Sequence, residues 1–166
     1  MAIKNYNDLL DKVSNFKLDT NIDLSSGEDL SIGIMNLISI EEHLFFTYGK
    51  LKNQKYLKLL NEVRLMRTSL MKEIIKDYEG EVWCISKHLL ASSMRLMEVG
   101  TKELKKKENK KAEDLFKKSY ELYSLFWGLN LSSHSNSPNL PKLPTDKSVF
   151  SKLGDIVQHA LDCCRE

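Results

Sequence analysis

The sequence predicts an all-α protein: an antiparallel helical bundle with a four-helix core, a short N-terminal helix and a linker-tethered C-terminal helix. Three observations carry this expectation. Apolar residues recur at spacings of three and four along most of the chain, which places them on one face of a helix with 3.6 residues per turn. All three prolines lie between 138 and 144, so no proline interrupts a helix before that point. No stretch alternates apolar and polar residues for long enough to argue a strand.

The elements follow in order. A first helix is expected at about residues 5–16, with Leu9, Leu10, Val13 and Phe16 on its apolar face. After the loop LDTNIDLSSG, Ser25 and Ser26 stand three residues before Glu28 and Asp29, the spacing of a capping box. A second helix then runs to about Lys52. Asn53 and Gln54 mark a turn, and a third helix covers about 54–78, closed by Gly80. The fourth spans about 81–106. The fifth, about 110–129, is rich in aromatics: Phe116, Tyr120, Tyr123, Phe126 and Trp127. Residues 1–131 therefore form the bundle, and 132–145 (SSHSNSPNLPKLPT) form a Ser/Pro-rich linker. Residues 146–166 form an amphipathic helix, with Val149, Phe150, Leu153, Ile156, Val157, Ala160, Leu161 and Cys164 on one face. A helix of that length is marginal alone, so it is expected to dock on the bundle or on a second copy. Short connections between long helices imply antiparallel neighbours.

At 166 residues the chain has the size of one domain and can bury a core without disulfides or metal. A net charge of +2 gives no global reason to expect nucleic acid as a partner. The basic run 102–111 lacks interleaved aromatics and suits a solvated helix end. No segment has the apolar length of a membrane span, and the first residues do not resemble a signal peptide. Three cysteines cannot all pair within one chain, so reduced thiols and a cytoplasmic location are expected.

The segment from Ser93 to Ser124 resembles one tetratricopeptide-type helical hairpin at Leu96, Val99, Gly100, Ala112, Phe116 and Ser119. It departs at Glu103, where that pattern has an aromatic residue, and no second copy follows. The resemblance implies a tight antiparallel pair of helices, with small residues allowing close contact.

Two charges interrupt the apolar faces. Glu41 lies among Leu37, Ile38, Leu44 and Phe45, and Arg67 among Leu60, Val63, Leu70, Met71 and Ile74. A buried charge is costly unless paired, so these two should pair with each other or with polar groups on a third helix. The fourth helix offers such groups in the row Glu81, Cys84, His88, Ala91, Arg95, Glu98 and Lys102, at spacings of three and four, with Cys84, His88, Arg95 and Glu98 as the candidates. That row is either a partly exposed edge or an internal polar seam that meets Glu41 and Arg67. An internal seam would bring His88 within reach of Glu41 or Glu98. It would fix helix register, or build a ligand site in the bundle core.

Cys84 with His88, and His159 with Cys163, have the i, i+4 spacing of zinc-ligand pairs and are the metal candidates. A di-iron centre would need spaced carboxylates and Glu-x-x-His repeats, which are missing. No cofactor is therefore expected. No nucleophile elbow, phosphate loop or dinucleotide fingerprint is present, and no oxyanion donor can be assigned beside Cys84 and His88. The leading expectation is a non-enzymatic interaction or scaffold protein that forms a homo-oligomer. The alternative is a small-ligand or metal-binding bundle that uses the seam, with catalysis open.

Overall fold

The computed structural model describes residues 25–76 and 81–131. The expected helices at 5–16 and 146–166 and the linker at 132–145 lie outside the described residues. Four helices are seen, and no strand occurs among the described residues: α1 (Ser25–Leu51), α2 (Lys55–Ile74), α3 (Glu81–Lys105) and α4 (Asn109–Leu131). The all-α bundle expected from the apolar periodicity is what forms.

The turns explain two of the helix ends. Lys52 adopts a positive φ of 53°, and its amide donates to the Tyr48 carbonyl, which closes α1. The Asn53 side chain then accepts the Lys55 amide at 3.0 Å and starts α2. Lys107, with a φ of 65°, plays the corresponding part between α3 and α4. The expected third helix is too long. It stops at Ile74 instead of reaching 78, because Ile75 takes extended dihedrals and turns a fully buried side chain into the core. Gly80 lies outside the described residues.

The helices run up, down, up, down as two hairpins, α1–α2 and α3–α4. The hairpins are joined through α1, which lies parallel to α3. The core sits at one end of the bundle, where Ile34, Met35, Met71, Ile75, Val82, Leu89, Leu90, Phe126, Trp127 and Leu129 meet. The α3–α4 pair is tight, as the tetratricopeptide resemblance implied. A Cβ on Gly100 would stand 2.6 Å from the Phe116 ring, and Ala112 is fully buried. Ser93 Oγ donates to the Ser119 carbonyl and Ser119 Oγ donates to the Ser93 carbonyl, at 2.9 and 2.7 Å. Glu103, the departure from that pattern, is also buried. It accepts from Lys106 at 2.8 Å and Lys111 at 3.0 Å, and these lysines hold its carboxyl below the usual carboxylate range.

Candidate functional site

Glu41 and Arg67 meet, as their places on the apolar faces required. Arg67 Nε donates to Glu41 Oε1, and Nη2 donates to Oε2 at 3.3 Å. The guanidinium is 4% exposed and the carboxylate 16%, so the pair lies between α1 and α2 at the mouth of the core. Arg67 Nη1 points to Met71 Sδ at 3.2 Å, a weak acceptor. Glu41 is therefore the strong acceptor for this cation.

The remaining seam residues do not join them. Cys84 and His88 are exposed, and no hydrogen bond or ion pair links His88 to Glu41 or Glu98. Arg95 bridges Glu42 of α1 and Glu98 of its own helix, the latter at 2.6 Å, on an open surface. The row on α3 is thus the exposed-edge alternative, for a reason of angle. The buried face of α3 is centred on Ser86, Leu89, Leu90 and Ser93, and a rotation of about 100° per residue carries 84, 88 and 95 to the other side. The neighbour that the sequence did not single out is Glu42. Its signal was weak, because an acidic residue beside Glu41 reads as ordinary solvated surface.

Between α1 and α3 runs an open groove of about 350 Å3, lined by Ser39, Glu42, His43, Phe46, Thr47, Lys50, Arg95 and Glu98. Two of the six seam residues, Arg95 and Glu98, belong to it. Lys102 and Arg95 hold the Glu98 carboxyl below its ordinary range, first through the lysine hydrogen bond at 2.8 Å and then through charge. The cations and carboxylates here largely neutralise one another. Among the described residues, no three or more His, Cys, Asp or Glu groups gather to hold a metal ion, and His159 and Cys163 lie outside them.

Other polar groups do meet inside the bundle. Ser31 Oγ donates to the Glu28 carbonyl at 2.7 Å and receives the Tyr123 hydroxyl at 2.6 Å, tying α1 to α4. Asn130 Nδ2 donates to Ser86 Oγ at 3.0 Å, tying α4 to α3. These are joints between helices and leave no open chemistry.

The largest irregularity is apolar. Ile32, Ile40, Phe45, Phe46, Leu51, Leu59, Leu65 and Met66 are exposed on the α1–α2 hairpin, and Met97, Leu104 and Tyr120 on α3–α4. No helix among the described residues is long and apolar enough to cross a membrane. No family model, curated protein or solved structure matches this chain.

Proposed function

We propose that this protein is a non-enzymatic helical interaction protein that self-associates through its α1–α2 hairpin. One observation carries this reading: among the described residues, most of the large apolar side chains left in solvent belong to the α1–α2 hairpin, against Met97, Leu104 and Tyr120 on α3–α4. Exposed apolar side chains that gather on one part of a molecule mark contact surfaces. The groups that could carry chemistry support the same reading. Arg67 is committed to Glu41, Arg95 to two carboxylates, and Cys84 and His88 stand on the surface without an orienting partner.

The test is the solution mass of the full chain across a wide concentration range, with Phe45→Ser/Phe46→Ser beside the wild type. The expected result is a wild-type mass that rises above the monomer while the variant stays monomeric at an unchanged melting temperature. A wild-type chain that is monomeric throughout sinks the reading. A second reading, a small-ligand site, rests on the groove between α1 and α3. Elemental analysis of the purified protein, with thermal-shift screening of charged small molecules against Arg95→Ala, tests it. A metal or ligand effect that Arg95→Ala abolishes would favour that reading.

A further inference from the structure

The two turns lie at one end of the bundle. Glu42 of α1 meets Arg95 of α3. From that bridge α1 runs on to Leu51 and α3 to Lys105, about 14 and 15 Å at 1.5 Å per residue. Because the two helices are parallel, both turns stand at the same height. Helix axes about 8–10 Å apart place them about one Debye length from each other at physiological salt, so their charges act together. The segments 50–58 and 102–111 are far apart in the sequence, and the fold sets them side by side.

These segments hold ten lysines, all exposed, against two glutamates, in a chain whose net charge is +2. One of the two, Glu103, is buried and held by Lys106 and Lys111. Among the described residues, Lys50, Lys52, Lys55 and Lys58 on the first turn have no carboxylate partner. Nor do Lys105, Lys107 and Lys110 on the second.

Solvated lysines are ordinary, but the places of these are not. A helix start favours acids, and α1 and α3, which begin at the other end, carry Glu28 and Glu81 in their first turns. α2 and α4 begin at the turn end and have no acid there. Lys55 and Lys58, and Lys110 and Lys111, stand in their first turns instead. The residues that close α1 and α3, Lys52 and Lys107, take left-handed φ of 53° and 65°, where glycine or asparagine is less strained. Helix dipoles and backbone strain thus work against lysine at all six places. Local rules broken together at one end of a fold point to function.

We propose that this end of the bundle docks on the face of an anionic membrane, with its lysines against the acidic headgroups and Leu51 and Leu104 entering the headgroup layer. Three features favour a lipid surface over a nucleic acid. Neither segment contains arginine, the residue suited to bidentate phosphate and base contacts, whereas compact lysine charges suit a diffuse anionic layer. Tyr48 and Tyr56 are half-buried, with the Lys52 and Lys55 ammonium groups 5.8 and 5.0 Å from their ring centres, so neither ring is open to stack a base. Each turn also carries one exposed leucine beside its lysines, Leu51 at 61% and Leu104 at 50%, the combination that holds a peripheral element at the headgroup boundary. The proposal does not depend on self-association. It is carried by lysines of both hairpins, and a monomer presents them as a dimer does.

The test is co-sedimentation of the full chain with vesicles of phosphatidylcholine alone and of phosphatidylcholine with one-third phosphatidylserine. Lys55→Gln/Lys58→Gln and Lys105→Gln/Lys110→Gln each empty part of one turn. Lys76→Gln/Lys87→Gln removes the same charge near the core end. Wild-type binding should require phosphatidylserine and vanish at high salt. A lysine close to an anionic surface changes partition about fivefold, so either turn variant should bind about twentyfold more weakly, and the core-end variant no more than about twofold. The melting temperature of Lys55→Gln/Lys58→Gln should hold or rise, since cations leave a helix start, and this separates lost binding from lost folding. A wild type that ignores phosphatidylserine overturns the proposal. So does an equal loss in the core-end variant, which would make overall charge the cause, or a loss confined to one turn. Wild-type binding to poly(dT) that both turn variants lose, with none to the vesicles, would give the lysines to a nucleic acid and equally end the proposal.

Discussion

Replacing Glu41 by alanine isolates the most demanding interaction in the bundle. The carboxylate supplies both strong acceptors of Arg67, whose side chain is 4% exposed and whose third nitrogen faces only the Met71 sulfur. Without Glu41 a nearly dry guanidinium has no counter-charge. Stranding one member of a buried pair costs about 3–5 kcal/mol. At about 2–4 °C per kcal/mol for a chain of this size, the melting temperature should fall by about 6–20 °C. Urea unfolding of Glu41→Ala, Arg67→Met and the double variant Glu41→Leu/Arg67→Met gives the comparison. The double variant leaves no charge behind and should be clearly more stable than Glu41→Ala. Glu42→Ala serves as the control, since its pair with Arg95 is exposed and Arg95 retains Glu98; it should cost less than about 1 kcal/mol. The reasoning fails if Glu41→Ala is as mild as Glu42→Ala, or if removing both charges is as damaging as removing one.

Two further outcomes are expected. Gly100→Ala places a methyl 2.6 Å from the Phe116 ring and should cost about 1–3 kcal/mol by thermal unfolding, with part of the loss recovered in Gly100→Ala/Phe116→Leu. Tyr123 ionises above its usual value near 10, because burial opposes the phenolate more than the Ser31 hydrogen bond favours it. The unfolded chain therefore releases that proton first. The stability concerned is intact below about pH 10 and is lost as pH rises through the elevated folded-state value. Tyr123→Phe should flatten this alkaline limb of the stability–pH curve, and an unchanged limb would show that Tyr123 is not its source.

How far the fold was legible depended on where the information was local. Apolar spacing, the missing prolines and the turn at Asn53 and Gln54 placed four helices close to their observed bounds. The end of α2 was not local. Ile75 leaves the helix because its side chain fits the core, and helical spacing alone would have carried the helix on. The Glu41–Arg67 pair was legible because two charges centred on apolar faces have few places to go. The row Cys84, His88, Arg95 and Glu98 was harder. Polar residues at helical spacing look alike on an internal seam and on an exposed flank, and the choice depends on which side of α3 its neighbours occupy. Ser31 was hidden for the opposite reason, since it is small enough to sit in an apolar stripe without disturbing it.

The extended residue at Ile75 separates the chain into two hairpins whose contacts are mostly internal to each. Each closes over a short turn, so little loop entropy opposes it and the chain should collapse quickly. During synthesis the pair of helices up to Ile74 can form before the last helix has left the ribosome. Until Phe126 and Trp127 arrive, that first pair has no lid for Ile34 and Met71. The newborn chain is therefore most vulnerable to unwanted association over the interval in which residues 81–131 are being made.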